Sequence, residues 1–272
     1  MEGMTDGYVM GRTSAEAERL QLQGDVLAPH SAHLFRLAGI TPGMRVLDVG
    51  CGAGDVSLLL ADLVGPEGSV IGVDMNPAIL ELARSRVAGA GLTNVSFIES
   101  DLADLTLDGY VDALAGRLIL MHLHEPAATV RALSGLVRPG GVVTFHDYNI
   151  SRSRAVPEIP LVTRTVEWIV GAVRAVGLNP DSGDQIGSIL RDAGLSVTGA
   201  ATAGPAGTAD SVMAVYVADT VRSFLPVILG HGLATEAEVD IDTFAERMTA
   251  ELEQAGGMFW SPEMAAAWAR VP

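Results

Sequence analysis

The sequence contains no lysine, and all 17 of its basic residues are arginine. Acidic residues number 33, so the formal net charge at neutral pH is −16. A surface this acidic repels phosphate backbones and anionic lipid headgroups. The composition therefore argues against a nucleic-acid partner and against a membrane partner, and it favours a small-molecule ligand. Solubility alone is the alternative explanation of the charge.

Cysteine is nearly absent, since Cys51 is the only one in 272 residues. No internal disulfide is expected, which fits a reducing compartment. The first residues show neither a basic segment nor an apolar core, so no signal peptide is expected. An uninterrupted apolar run of about 18 residues is also missing, so no membrane-spanning helix is expected. These absences predict a cytoplasmic protein, and the length allows one large domain.

The most informative segment, Met44 to Asp55, reads MRVLDVGCGAGD. An apolar run ends at Asp48, three glycines then alternate, and a helical pattern follows. This order predicts a buried strand, a tight turn and a helix N-terminus. Glycine permits positive φ and close approach of a ligand, while the first N–H groups of a helix attract an anion. The segment predicts a site for a small ligand with a negative group and a sugar.

A second acid follows on the next predicted strand. The segment SVIGVD ends in Asp74, twenty residues after Gly54. A carboxylate at this strand end can accept hydrogen bonds from both ribose hydroxyls. NAD sites share that feature, but their third glycine would fall at Asp55, where a negative side chain would face a pyrophosphate. An NAD-dependent oxidoreductase is therefore the weaker alternative.

These segments together resemble the class I S-adenosylmethionine-dependent methyltransferases. Asp48 opens a motif of the form Asp-x-Gly-x-Gly-x-Gly. Asp101 follows an alternating strand and resembles the acid that accepts from the adenine amino group. The segments 112–123 and 136–145 are similar to the family's fourth strand and fifth-strand entry. The match covers residues 40–150 in the family's order and spacing.

The resemblance implies S-adenosyl-L-methionine as cofactor. It places Asp74 on the ribose, Met75 beside the adenine and Gly116 near the methionine amino group. Arg117 is expected to bind the methionine carboxylate or a substrate anion, and pairing with a buried acid is the alternative. The implied cofactor-binding residues are Asp48, Gly50, Cys51, Gly52, Gly54, Asp74, Met75, Asp101, Leu102, Gly116 and Arg117, with Tyr8 and Gln23 from an N-terminal lid. Cys51 is alternatively a small residue packed in the turn.

The order of elements predicts an α/β fold. Alternating strands and helices indicate a Rossmann-like, seven-stranded, mostly parallel sheet with an antiparallel edge strand. Residues 1–40 are predicted as an N-terminal helical lid, with two helices that separate at Pro29. Residues 41–272 are predicted as the methyltransferase domain, with 41–150 as its cofactor-binding half. Helical cap insertions are predicted at 151–194 and 205–255, including one helix from Thr235 to about Gln254.

The donor brings its own reactivity, so the protein needs to supply position and, for some acceptors, a base. His146 is the first candidate because a neutral imidazole suits proton abstraction near pH 7. It is expected to end the fifth strand, with Asp147 as its orienting partner and His122 as the second candidate base. Loop hydrogen bonds by His122 and His124 are the alternative. A metal site formed by these four residues is a weaker hypothesis, so no metal is expected.

The expected reaction is methylation of a small molecule at carbon, oxygen or nitrogen. The resemblance points to the ubiquinone/menaquinone-type enzymes and to those of actinobacterial secondary metabolism. A cyclase or binding protein that keeps the cofactor without methylating is the alternative from another class. Pairing of the N-terminal helices between subunits is a further expectation, with the oligomeric state left open.

Overall fold

The structure is a computed structural model of the chain. It describes the backbone from Ser14 to Pro272 and the side chains from Leu22 onward. Tyr8, which the sequence places in the lid, lies outside the described residues.

The strands of the described chain, in order, are β1 (Arg45–Val49), β2 (Ser69–Asp74), β3 (Val95–Glu99), β4 (Val111–Arg117), β5 (Val137–Asn149), β6 (Arg154–Val156), β7 (Ser196–Ala203), β8 (Ala206–Gly207), β9 (Met258–Trp260) and β10 (Glu263–Arg270). The helices are α1 (Ser14–Ala38), α2 (Asp55–Val64), α3 (Pro77–Gly89), α4 (Pro126–Ser134), α5 (Pro160–Ala175), α6 (Ile186–Asp192), α7 (Met213–Gly230), α8 (Glu236–Val239) and α9 (Phe244–Ala255).

The central sheet has seven strands in the order β3-β2-β1-β4-β5-β10-β7. The first five of these pair in parallel, and β10 runs antiparallel to both β5 and β7. The predicted Rossmann-like, mostly parallel sheet with an antiparallel pair at one edge is confirmed. The antiparallel strand itself lies one place in from that edge. A small second sheet, β6-β9-β8, was not predicted, because strands of two or three residues carry no readable alternation.

Helix α1 is continuous, so the predicted break at Pro29 is wrong. A proline removes a single backbone hydrogen bond, whereas the apolar face on both sides of it is buried. Leu27, Leu34 and Phe35 are almost fully buried. Burial of this face stabilises one helix across the proline.

Local caps explain several helix boundaries. Asn76 accepts hydrogen bonds from the N–H groups of Ala78 and Ile79 at the start of α3, as expected from Asn-Pro. Thr235 and Glu238 form the predicted capping box of α8. The single helix predicted there is wrong, however, because Asp240 adopts φ 39° and ends α8 before α9 begins. Aspartate is one of the few non-glycine residues that tolerates this left-handed conformation.

The buried apolar side chains form three clusters, two on the faces of the sheet and one at the ends of β5 and β10. One face of the sheet packs on α2 and the carboxyl-terminal half of α1, and the other packs on α4 and α6. Helices α5, α7 and α9 form a further apolar cluster with the amino-terminal part of α1 and the ends of β5 and β10. Helix α6 belongs to the sheet layer, although it falls within the segment 151–194.

One helix of the described residues, α7, is long and apolar enough by length and composition to cross a membrane. Its buried side chains, which include Tyr216, Val217 and Val221, pack in the same cluster as α5 and α9. A core helix of a globular domain satisfies the same criterion.

Candidate cofactor and active site

The glycine turn follows β1 directly. Gly50, Gly52 and Gly54 have φ values of 69°, 52° and 84°. The N–H groups of Gly50 and Cys51 donate to the carbonyl of Val73, at 2.9 and 3.0 Å. A Cβ on Gly50 would lie 2.5 Å from Cδ1 of Ile119, whereas a Cβ on Gly52 would meet no atom of the described part of the chain within 4 Å. The turn therefore needs glycine throughout, and at Gly52 its backbone faces open space.

This turn lies at a crevice between two strands. β1 pairs with β4 only as far as Asp48 opposite Ala115, while β4 and β5 stay paired to Arg117 opposite His146. The strand order reverses direction between β1 and β4. In open α/β sheets, ligands bind at such a switch point beyond the carboxyl ends of the strands.

Asp74 ends β2 beside the turn. Its Oδ2 accepts from the N–H of Gly52 at 3.0 Å, and its Oδ1 accepts from the N–H of Asn76 at 2.9 Å. A carboxylate has about four acceptor positions, so each oxygen keeps capacity for a ribose hydroxyl. Met75 follows with 69% of its surface exposed, which leaves its side chain free to contact a base.

Asp101 lies on the same rim, at the end of neighbouring β3. The N–H of Ser100 donates to the carbonyl of Asp74 at 3.2 Å, which joins the two strand ends. Oδ1 of Asp101 accepts from the N–H of Ala103 at 2.9 Å, so this carboxylate also stabilises its own turn. Leu102 is half-buried beside it.

Asp48 and Cys51 are buried at the base of the turn. Oδ2 of Asp48 accepts from the Ser57 hydroxyl at 2.6 Å. Burial raises the pKa of Asp48 to about 7, and the Ser57 hydrogen bond and the Arg117 charge oppose that rise. Burial also raises the pKa of the Cys51 thiol well above its ordinary value, so it stays protonated. A buried, protonated thiol is consistent with the small packing residue that the sequence offers as the alternative at Cys51.

Arg117 ends β4 and is half-buried. Its Nη1 donates to Oγ of Ser31 in α1 at 3.1 Å. Among the described residues no carboxylate comes within ion-pair distance of Arg117, in contrast to Arg86, which pairs with Asp55 at 2.7 Å. Pairing with a buried acid, the alternative left open by the sequence, is not what the described residues show.

His146 is buried within β5, which continues to Asn149 rather than ending at the histidine. Its ring stacks on Phe35, and neither ring nitrogen has a hydrogen-bond partner among the residues that the structure describes. Burial, and to a smaller extent the charge of Arg117, lowers the pKa of His146 to about 3. The ring is therefore neutral at pH 7 and shielded from solvent.

Asp147 does not orient His146, which corrects the expected pairing. Adjacent residues of a strand point to opposite faces of the sheet. The Asp147 carboxylate accepts from the N–H groups of Tyr148, at 3.0 Å, and Met121, at 3.3 Å. Burial raises the pKa of Asp147 to about 6, against hydrogen bonds that lower it. This residue fixes the turn after β4 instead.

His122 lies in that turn, in a short 3₁₀ segment, Leu120–His122. His122 is exposed to solvent. Partial desolvation of its imidazole lowers its pKa, so the ring is neutral at pH 7. His124 is also exposed. Within the part of the chain that the structure describes, no three His, Cys, Asp or Glu side chains are grouped to hold a metal ion.

A pair of tyrosines near the site was missed at the sequence level. The hydroxyls of Tyr148 in β5 and Tyr216 in α7 are 3.0 Å apart and buried. Gln23 of α1, an expected lid residue, hydrogen-bonds Tyr148, whose pKa is raised well above its ordinary value by burial. The available signal was the strand alternation, which puts Tyr148 on the same face as His146. These contacts join α1, β5 and α7.

The fold and the rim of acids and glycines define a Rossmann-like enzyme for an adenosine-bearing cofactor, of the S-adenosylmethionine-dependent methyltransferase class. Residues 40–194, more than half of the chain, match a family described as a methyltransferase domain, and the chain belongs to this family. Its cofactor is S-adenosylmethionine.

Known proteins agree with this assignment. The chain is 26% identical over 177 residues to a ubiquinone/menaquinone biosynthesis C-methyltransferase of Shewanella sp. (strain W3-18-1), which covers 60% of this chain and 70% of the relative. A SAM dependent methyltransferase from Aquifex aeolicus is similar in structure, with TM-score 0.51 and 26% identity, over 63% of this chain and 82% of that one. The [4+2]-cyclase SpnF shares the fold, with TM-score 0.53 and 20% identity, over 89% and 81% of the two chains.

Proposed function

We propose that the protein transfers the methyl group of S-adenosylmethionine to a small-molecule acceptor, at carbon, oxygen or nitrogen. The observation that carries this proposal is the enclosure of the carboxyl end of β5. Tyr148 is buried there beneath Gln23 of α1 and Tyr216 of α7. A macromolecular acceptor needs an open approach to the strand ends, and the net charge of −16 disfavours nucleic acid in addition.

The residues of the rim fit the cofactor. Asp74 has acceptor capacity left for the two ribose hydroxyls, and Met75 and Asp101 lie where an adenine ring would follow. Gly52 presents backbone without a side chain at the point of closest approach. When bound, S-adenosylmethionine supplies an electrophilic methyl carbon on a cationic sulfur. The enzyme's residues hold the two reactants in line and exclude water.

The acceptor atom forms its new bond to the methyl carbon as the carbon–sulfur bond breaks, and the electron pair of that bond goes to sulfur. A proton on the acceptor must then leave to a base or to solvent. His122 is better placed for this role than His146, because it is neutral and exposed beyond β4 whereas His146 is sealed against Phe35. We retain His122 as the candidate base. The relative from Shewanella sp. is described as a C-methyltransferase, which favours carbon among the three acceptor atoms.

The second candidate function is a reaction without methyl transfer, such as a cyclisation with the cofactor retained. The burial of His146 and the opposite orientation of Asp147 favour it, because the pair expected from the sequence, a His146 base oriented by Asp147, does not form. The shared fold with a [4+2]-cyclase is compatible with this reading.

One experiment separates the two functions. The purified protein is incubated with S-adenosylmethionine labelled in its methyl group and with an extract divided into small-molecule, protein and nucleic-acid fractions. We expect label in the small-molecule fraction only, and we expect less of it with the Asp74→Ala variant at the same cofactor concentration. Label in protein or RNA would contradict the proposed acceptor class. Cofactor binding without any labelled product would favour the second candidate.

A further inference from the structure

The chain leaves β4 through a strained turn, residues 118–122, which carries the candidate base His122. Leu118 has φ 57°, and among the described residues only Leu118 and Asp240 are non-glycine residues with positive φ. Bulky side chains rarely adopt this left-handed conformation, because their Cβ crowds the following carbonyl oxygen. The N–H of Leu118 donates to the carbonyl of His146 at 2.8 Å, which fixes the start of the turn.

A carboxylate on β5 holds the far end of the 118–122 turn. Oδ2 of Asp147 accepts from the N–H of Met121 at 3.3 Å, and Oδ1 accepts from the N–H of Tyr148 at 3.0 Å. Asp147 is fully buried, and the ion pairs of the described residues do not include it. A buried carboxyl without a cation is costly unless hydrogen bonds satisfy it.

The same carboxyl is covered by a 3₁₀ segment, Ser182–Gln185. A Cβ on Gly183 would lie 2.8 Å from the carbonyl oxygen of Asp147, so the backbone of this segment lies directly on β5. Burial raises the pKa of Asp147, and the buried Ser182 side chain lowers it, which places Ser182 beside the carboxyl. Asp147 therefore joins the 118–122 turn to a segment that is distant in the sequence.

Side chains of the 118–122 turn contact both halves of the site. Ile119 packs at the glycine turn, where a Cβ on Gly50 would lie 2.5 Å from its Cδ1. Leu118 and Met121 pack against the apolar cluster of α1, α5, α7 and α9, which includes Tyr148. A shift of the turn would therefore displace the candidate base relative to the donor and to the enclosed end of β5.

We propose that Asp147 is a positioning residue for methyl transfer, whose carboxylate holds the strained 118–122 turn in the conformation that presents His122 to the acceptor. This inference rests on the proposed function and adds a residue on the opposite face of β5 from His146. Backbone strain persists where the surrounding structure fixes it, and it is concentrated at functional sites. A displacement of about 1 Å can lower a rate about 100-fold, so a single hydrogen bond at the turn is enough to change turnover.

The hydrogen bond itself is tested by amide hydrogen exchange of Met121. The sequence has ten methionines, so isotopically labelled methionine gives a simple NMR spectrum, in which Met121→Leu assigns the signal. We expect this amide to exchange at least about 10-fold faster in Asp147→Ala. Unchanged exchange would overturn the proposal.

Asn149→Ala is the matched control. Asn149 lies two residues further along β5, on the same face as Asp147. It makes two hydrogen bonds of 3.1 Å with Asp184 and none with the 118–122 turn among the described residues. We expect the Met121 amide of this variant to exchange as in the wild type.

Turnover and donor affinity separate positioning from support of the fold. The rate is the transfer of labelled methyl groups to the small-molecule fraction at saturating S-adenosylmethionine. We expect Asp147→Ala to lower this rate about 10- to 100-fold, and S-adenosylhomocysteine affinity less than about threefold, because Val73 holds the glycine turn independently. Asn149→Ala should keep both at wild-type values. Equal losses of rate in the two variants, or a loss of affinity as large as the loss of rate, would show that Asp147 only supports the fold.

A double-mutant cycle tests whether Asp147 acts through His122. On the His122→Ala background, Asp147→Ala should lower the rate by less than about threefold, because the group that it positions is already removed. Two losses that multiply would contradict the assignment. If Asp147→Ala does not fold, Asp147→Asn takes its place, since an amide offers one acceptor oxygen to the two N–H groups.

The strained residue offers a further pair of variants. Leu118→Asn loses the apolar contact but tolerates positive φ, whereas Leu118→Val keeps an apolar side chain that disfavours this conformation. We expect Leu118→Val to lower the rate of methyl transfer more than Leu118→Asn. The reverse order would show that the apolar contact matters and the strained conformation does not.

Failure of this proposal is distinguishable from failure of the proposed function. A wild-type protein that binds S-adenosylhomocysteine but labels no small molecule would refute both. Labelled product in the wild type, with an unchanged rate in Asp147→Ala, would refute the positioning role alone.

Discussion

The imidazole of His146 lies against the phenyl ring of Phe35, with ring centroids 4.2 Å apart and planes inclined by 28°. Phe35 belongs to α1 and His146 to β5, so this contact fixes the N-terminal helix on the sheet. It also removes the imidazole from water. A residue that the sequence marks as a base is therefore a buried neutral group in the folded chain.

This burial predicts a pH-dependent contribution to stability. An unfolded chain protonates His146 near its ordinary pKa of 6.5, whereas the folded chain does so only near 3. The contribution is complete above pH 6.5 and falls as the pH drops from 6.5 towards 3. We expect the wild type to lose more free energy of unfolding than His146→Phe between pH 7 and 5, by at most about 1.4 kcal/mol per pH unit. Urea unfolding at several pH values measures this, and parallel pH profiles would refute it.

The titration of Asp48 predicts a change of stability with pH in the opposite direction, over an overlapping pH range. Its folded pKa of about 7 exceeds the ordinary 3.8, so its contribution is complete below pH 3.8 and is lost as the pH rises through 7. The Asp48→Asn variant cannot ionise. We expect its free energy of unfolding, relative to that of the wild type, to increase between pH 4 and 7.5. A relative stability that decreases over this range would contradict a pKa of Asp48 that burial raises.

Two glycines of the turn should respond differently to alanine. Both have positive φ, which costs an alanine about 1 kcal/mol. Only at Gly50 would the new Cβ also collide with Ile119, so Gly50→Ala should lower the melting temperature more than Gly52→Ala. Gly52 faces open space, so Gly52→Ala should instead weaken S-adenosylhomocysteine binding more than it lowers stability. Thermal unfolding with and without the ligand separates the two effects. Similar losses of melting temperature in both variants would contradict the geometry of the turn.

The ribose assignment is tested at Asp74. Asp74→Ala removes an acceptor of ribose hydroxyls and should weaken S-adenosylhomocysteine binding by about 1–3 kcal/mol. Asp62→Ala is the control, because Asp62 is an exposed acid on α2 away from the rim. Titration calorimetry gives both affinities. Wild-type affinity in Asp74→Ala would show that the ribose binds elsewhere.

The sequence predicted those parts of the fold and site that depend on local patterns. The glycine turn, the acid ending β2 and the cap at Asn76 each have a signature within a few residues, and the structure contains the turn and the cap as expected. The continuity of α1 through Pro29 was not predictable in this way, because it depends on the tertiary burial of Leu34 and Phe35.

The wrong prediction that Asp147 orients His146 has a local cause. Residues 146 and 147 are adjacent in a strand, and the period of two already places their side chains on opposite faces. Strand alternation places Tyr148 on the same face as His146, but its contact with Tyr216, 68 residues away in the sequence, has no local signature. Ser31 was likewise not singled out, since its role depends on where α1 packs.

The central claim is that S-adenosylmethionine binds at the carboxyl rim of this sheet. Titration calorimetry of the wild-type protein with S-adenosylhomocysteine, followed by competition with S-adenosylmethionine and with NAD, tests it most directly. We predict one site per chain that S-adenosylmethionine competes for and NAD does not. Absence of S-adenosylhomocysteine binding, or its displacement by NAD, would contradict the account.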